Sequence, residues 1–203
     1  MVNSNNCRNF NLIQIYKMNI LIIGPPGVGK GTQAKLIKNE LNLIHLSTGD
    51  ILRNEIKKKT KIGIKAKIFI DKGEYIPDEN MLEIIEKKIN QKNYLNGYIL
   101  DGFPRTITQA IGFDNLLIKH KKKLNIAISL IANDKILEKR LLKRSKKDNR
   151  SDDMPSIIKK RQKIYWKETA PLLKFYKSKG ILKEINGTGK INNIKKNILN
   201  LFK

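Results

Sequence analysis

The chain has 203 residues, 40% of them hydrophobic, and a formal net charge of +24 from 42 Lys and Arg against 18 Asp and Glu. That length supports one domain with a substantial core, and no apolar run approaches the roughly 18–20 residues that span a bilayer. Cys7 is the only cysteine, which excludes an internal disulfide framework and a cysteine-rich zinc site and is most simply read as a reducing compartment.

Residues 1–17, "MVNSNNCRNFNLIQIYK", are polar, Asn-rich and free of acidic residues. They are expected to form a disordered extension before a domain that starts at Met18. The alternative is a short organellar targeting segment, since such segments are basic and acid-poor. "NILIIG" (19–24) is a short apolar run ending in Gly and reads as a buried parallel strand. "GKGTQAKLIKNEL" then has helical spacing, and "LIHLS" (43–47) is a second strand. "TGDILRNEIKKK" opens a helix with Thr48 or Asp50 as its cap. "GIKAKIFIDKG" is a helix closed by Gly73, and "PDENMLEIIEKKIN" a helix with Pro77 and acidic residues in its first turn.

"GYILDGFPR" (97–105) is a third strand running into a loop, followed by the helical "TITQAIGFDNLLIKH". "LNIAISLIA" (124–132) is a fourth strand. "NDKILEKRLLKR" is a helix with Arg140 and Arg144 on one face, and "SKKDN" a polar tip. The long helical stretch from Ser151 to Gly180 is expected to be capped near Ser151 or Asp152 and kinked or broken at Pro171. "ILKEING" is a fifth strand, and "KINNIKKNILNLF" a final amphipathic helix. Strands alternating with helices predict an α/β fold with a five-stranded parallel sheet between helical layers.

The segment "GPPGVGKGTQAK" (24–35) sits between the first strand and the first helix. It fits the phosphate-loop pattern G-x-x-x-x-G-K through Lys30, but the next residue is Gly31 and the hydroxyl comes one step later, at Thr32. Backbone N–H groups of a Gly-rich turn at a helix N-terminus bind phosphate oxygens. Gly27, Gly29 and Gly31 let the backbone come close, and Lys30 adds a positive charge. Moving the hydroxyl away from the usual metal-holding position leaves Mg²⁺ held largely through water and phosphates.

Four segments appear in order: "GPPGVGKGTQAK", "LSTGDILR" (46–53), "DGFPRT" (101–106) and "NGTGK" (186–190). On these motifs residues 18–203 resemble the nucleoside monophosphate kinases, and most closely the adenylate kinase family. The resemblance implies a P-loop three-layer α/β/α domain. It also implies reversible transfer of the γ-phosphoryl of MgATP to AMP, giving two ADP. An AMP-binding segment is implied at 47–76 and a lid at about 144–151. The acceptor is then a phosphate oxygen, already anionic, so no general base is required. His45 and His120 are accordingly read as structural or surface residues.

In a chain with 7 Arg against 35 Lys, each arginine position is informative, because the guanidinium is a rigid bidentate fork that Lys cannot copy. By resemblance Arg53 and Arg105 grip the AMP phosphate. Arg140, Arg144, Arg150 and Arg161 gather around the ATP phosphates and the migrating group, with Arg150 and Arg161 also reaching AMP and Arg140 stacking on the ATP adenine. Gly27, Val28, Gly29, Lys30, Gly31, Thr32 and Gly189 complete the implied ATP site. Thr48, Gly49, Ile76, Gly102 and Gln109 complete the implied AMP site, with Gln109 reading adenine through its amide. Lys30 and the arginines at 105, 140, 144, 150 and 161 are the implied catalytic set. Asp101 is expected to orient Mg²⁺ through water. Asp152 and Asp153 serve either as helix caps or in lid positioning.

Thr48 and "GFPRT" favour AMP over UMP or CMP, which remain the alternative acceptors. Only Ser145–Asn149 separate Arg144 from Arg150, so the lid is the short form, with no zinc. The lid excludes water, which would compete for the phosphoryl group. The expected partners are the nucleotides ATP, AMP and ADP, with no membrane and no specific nucleic acid. The positive excess is mostly Lys spread along the chain beside abundant Asn and Ile, as A/T-rich codon bias would leave it. A basic nucleic-acid-binding P-loop protein is the remote alternative. A cytoplasmic monomer is expected, or an organellar one if residues 1–17 are a targeting segment.

Overall fold

The computed structural model describes residues 18–148 and 150–203; the extension expected over 1–17 and residue Asn149 lie outside them. Five parallel strands form one sheet: β1 (Met18–Ile23), β2 (Ile44–Ser47), β3 (Gly97–Asp101), β4 (Ile126–Ile131) and β5 (Leu182–Asn186), in the spatial order β2-β3-β1-β4-β5. β1 is central. Its residues Ile20–Ile22 pair with Ile99–Asp101 on one side and Ile126–Ile128 on the other. This confirms the fold class read from the alternation of strands and helices.

The pleat sends alternate residues to opposite faces. Leu21, Ile23, Tyr98 and Leu100 pack against the buried residues of α4 (Asp78–Ile89), α5 (Ile107–Lys119) and α8 (Pro171–Ser178). Ile20, Ile22, Ile99 and Ile128 pack against α1 (Lys30–Glu40), α6 (Asp134–Asp148) and α9 (Ile191–Leu199). Because both faces are covered, Ile20–Ile23 of β1 and Tyr98–Leu100 of β3 read as unbroken apolar runs. β5 is an edge strand with Lys183 and Glu184 exposed, which discourages pairing with another chain.

Several boundaries differ from the sequence expectation for physical reasons. α2 (Thr48–Lys57) is capped by neither Thr48 nor Asp50; Ser47, in extended conformation, accepts the N–H of Asp50 on its hydroxyl at 3.2 Å. α3 (Lys61–Asp71) is capped by Thr60, whose hydroxyl accepts from the Gly63 N–H. The polar tip "SKKDN" is helical as far as Asp148, because Lys is a good helix former and nothing in Ser145–Asp148 breaks the ladder. Ser151–Asp153 form a single 3₁₀ turn and are not the cap, since α7 (Pro155–Ile164) starts after Met154 with Pro155 in its first turn. The break expected at Pro171 begins earlier, as a π-helical turn over Tyr165–Thr169 with Ala170 N–H donating to the Tyr165 carbonyl at 2.8 Å. Such turns absorb an irregularity without ending the helical run.

The order of the strands places the switch in chain direction beside β1. Ligands of such sheets bind beyond the carboxyl ends of the strands at that point. The loops after β1, β2 and β3 all open there.

Candidate active site

The loop between β1 and α1 is shaped by glycines in conformations closed to other residues. Gly27 and Gly29 have φ of 85° and 103°. A Cβ on Gly27 would lie 2.8 Å from the Leu137 carbonyl oxygen, whereas Gly29 has nothing within 4 Å of that position. The first glycine therefore packs the loop onto α6, and the second faces open space. The α1 N-terminus has no side-chain cap, so its N–H groups are left for another acceptor. Lys30 folds back under the loop and donates to the carbonyls of Gly24 at 2.6 Å and Pro25 at 3.1 Å. Burial of its ammonium pushes its pKa down to about 8; Asp101 opposes the shift, and Arg105, Arg161 and Arg144 add to it.

Asp101, at the end of β3, is 8% exposed, and its Oδ2 lies 3.3 Å from His45 Nε2. The same oxygen is 3.3 Å from where a Cβ on Gly31 would stand. Gly31 thus keeps the start of α1 close to the carboxylate. Among the described residues no group of three or more His, Cys, Asp or Glu is placed to hold a metal ion. A lone carboxylate beside a phosphate loop fits a cation that arrives on a nucleotide, mostly coordinated by phosphate and water.

On the other side of Asp101 an open cleft of about 630 Å³, part of it bulk solvent, is lined by Thr48, Arg53, Ile76, Arg105, Gln109 and Arg161, with Gly49 and Gly102 in its wall. Arg53 donates to Asp50 at 2.6 Å, and burial and this ion pair act oppositely on Asp50, with the pairing prevailing and its pKa lowered. Arg105 Nε donates to the Gly102 carbonyl at 2.7 Å, and the guanidinium stacks over Tyr75 at 4.9 Å from the ring centre. Tyr75 Oη lies 2.9 Å from Thr169 Oγ1, which donates to the Arg105 carbonyl at 2.8 Å. The π-helical turn supplies that threonine. Thr48 is buried and donates to the Asp101 carbonyl at 3.3 Å. A Cβ on Gly102 would stand 2.6 Å from the Thr48 hydroxyl, so this wall admits only glycine there.

Two of the arginines singled out in the sequence, Arg144 and Arg161, converge on the acidic pair. Asp153, fully buried, accepts from Arg144 Nε at 2.6 Å and Nη2 at 2.7 Å, and from Arg161 Nη1 at 2.9 Å. The Asp152 carboxylate pairs with Arg161 Nη1 at 2.8 Å, and its backbone carbonyl accepts from the same nitrogen at 3.0 Å. Arg150 pairs with Asp148 at 3.4 Å. Burial lowers the pKa of Arg161 and of Arg150; for Arg144 burial is outweighed by Asp153, and its pKa rises. Asp152 and Asp153 are therefore anchors for guanidinium groups. Arg140 stands apart: its Nη1 donates to the carbonyls of Val28 at 3.1 Å and Gly187 at 2.9 Å, joining the phosphate loop to the turn that carries Gly189.

Sequence reading did not single out Tyr75, Asp78, Thr169 or the contact between His45 and Asp101. Each acts across 28 or more residues of chain, and no local pattern announces it.

A family model described as adenylate kinase matches residues 22–181. An adenylate kinase of Leptospira biflexa is 44% identical over 180 residues, covering 89% of this chain and 97% of that protein. One from a Cyanothece species is 40% identical over 168 residues, covering 83% and 86%. One from Clostridium botulinum is 38% identical over 212 aligned positions, covering 91% and 98%.

Proposed function

The chain belongs to the adenylate kinase family, and we propose that it transfers the terminal phosphoryl group of MgATP reversibly to AMP, giving two ADP. One observation carries the reading. Lys30 of the phosphate loop feels the charges of Arg105 and Arg161, which line the acceptor cleft, and of Arg144, which is bonded with Arg161 to Asp153. Two anionic ligands entering from the two sides would meet at that cluster.

In this reading the loop N–H groups and Lys30 hold the β- and γ-phosphates, with Val28, Gly31 and Thr32 beside them. Arg144 holds the ATP side, and Arg140 fixes the loop against the turn at Gly189. Arg53, Arg105 and Arg161 hold the AMP phosphate, joined by Arg150 as the lid closes. Thr48, Ile76 and Gln109 form the base pocket, with Gly49 and Gly102 allowing close approach. The attacking oxygen is already charged, so the residues supply position and positive charge and no base. Mg²⁺ arriving with ATP would neutralise charge on the phosphates, with Asp101 orienting its water shell.

The segment 47–76 is the acceptor wall and about 144–151 the short lid. Ser151 donates to Asp71 at 2.8 Å and Lys160 to Glu74 at 2.6 Å, which supports movement of the wall together with the lid base. A cytoplasmic monomer is the accompanying reading; among the described residues no helix is long and apolar enough to cross a membrane. The test is ADP release from MgATP with AMP, UMP, CMP or GMP and with no acceptor. Turnover confined largely to AMP supports the reading. Preference for UMP or CMP overturns the base pocket, and equal ATP loss without acceptor overturns the transfer.

A further inference from the structure

The base pocket holds a hydrogen-bonded ring that no motif announces. Gln109 is 1% exposed. Its Oε1 accepts the Arg105 backbone N–H at 2.7 Å, and its Nε2 donates to Asp78 Oδ1 at 2.7 Å. Asp78 Oδ2 accepts from Thr106 Oγ1 at 3.0 Å, and that hydroxyl accepts the Gln109 N–H at 3.0 Å. Asp78 is the first residue of α4, while Thr106 caps α5. The ring therefore ties two helices to one side chain at the cleft.

A primary amide has two N–H donors and two acceptor lone pairs. Here one of each is consumed, leaving one N–H and one lone pair. Their order is no longer free. Turning the amide over would set its oxygen against the Asp78 carboxylate and its NH₂ against the Arg105 N–H.

We infer that Asp78 is a specificity-determining residue: it locks the Gln109 amide in the order that fits a 6-amino purine and refuses a 6-oxo purine. This rests on the reading of the cleft as the acceptor-base pocket. Adenine offers the N1 lone pair beside an amino donor, which the remaining N–H and lone pair match. Hypoxanthine and guanine offer N1–H beside a carbonyl, which needs the reversed amide. A freely turning glutamine would take either base. A glutamine held by a charged acceptor discriminates, because the wrong base leaves buried groups unpaired.

The experiment compares wild type and Asp78→Asn at saturating MgATP with AMP and with IMP as acceptor, and measures KM for MgATP alongside. Asn keeps the shape but can turn its own amide to accept or donate, so it stops penalising the reversed Gln109. The expected result is a higher KM for AMP and an AMP-to-IMP ratio of kcat/KM that narrows by on the order of tenfold or more. The Arg105 N–H still favours AMP, so the ratio does not invert. The KM for MgATP stays unchanged.

Equal proportional losses on AMP and IMP would mean a merely structural role and would overturn the inference, as would an unchanged ratio. A wild type that does not use AMP would sink the pocket reading itself, before any variant is made. Should Asp78→Asn not fold, proton exchange of the Gln109 side-chain amide in wild type decides. Protection of one Nε2 proton is expected, and free exchange of both overturns the lock.

Discussion

Replacing Asp153 with Ala removes the carboxylate on which Arg144 and Arg161 converge. The side chain is fully buried and accepts three guanidinium hydrogen bonds of 2.6 to 2.9 Å. Removing one partner of a buried ion pair costs about 3–5 kcal/mol, because the charge left behind is uncompensated. The Arg144 side chain is 31% exposed and Arg161 16%, so water takes over part of the loss, and the lower end, about 3 kcal/mol, applies. For a chain of this size each kcal/mol lowers the melting temperature by roughly 2–4 °C, so a drop of about 6–12 °C is expected. Asp153→Ala combined with Arg144→Met removes both ends of one pair and should recover part of that drop. Thermal melts of the wild type, both single variants and the double variant measure it. A drop below about 2 °C, or a double variant no better than additive, would refute the view that Asp153 compensates buried charge.

Three further outcomes follow from the geometry. The Lys30 pKa is pushed from 10.5 to about 8, so between those values the unfolded chain binds more protons than the folded one, and this group's contribution to stability rises with pH from about 8 to 10.5. Activity runs the other way: kcat/KM for MgATP should fall above about pH 8 as free Lys30 loses its charge, while kcat holds to higher pH with phosphate bound; a kcat/KM profile flat to pH 10 contradicts this. Gly31→Ala adds a Cβ 3.3 Å from Asp101 Oδ2 inside a helix that otherwise favours Ala, so kcat should fall about tenfold with the melting temperature unchanged or raised, and steady-state rates with a melt decide. Gly63→Ala would put a Cβ 2.1 Å from the Glu55 carbonyl oxygen, forcing α2 and α3 apart, and should raise KM for AMP several-fold while leaving KM for MgATP unchanged.

The elements that carry the site were legible because their signals are local. β1 and β3 are apolar runs ending in glycine-bearing loops, and the phosphate loop declares itself in seven residues from Gly24 to Lys30. Arg53, Arg105 and Gln109, each singled out within its own short motif, line one cleft. What stayed hidden depends on side chains meeting across the fold. Asp152 and Asp153 could be read either as helix caps or as acids that position the lid; tertiary packing turns them toward Arg144 and Arg161. Asp78 looks like an ordinary first-turn acid of α4 until Gln109 and Thr106 are brought to it. Arg140 shares a helix face with Arg144, but it ends on loop carbonyls, because the turn at Gly187 lies beside it. The π-helical turn before Pro171 leaves no composition signal, and with it Thr169 and the support of Arg105 went unread.

In the proposed reaction one phosphoryl group passes between two nucleotides bound on opposite sides of the Lys30 and arginine cluster. The most direct measurement supplies ADP with Mg²⁺ as the only nucleotide and follows all phosphorus species by ³¹P NMR. ATP and AMP should appear in equal amounts, with no inorganic phosphate, until equilibrium is reached. Release of phosphate with AMP and no ATP, or ADP left unchanged by folded protein, would contradict it.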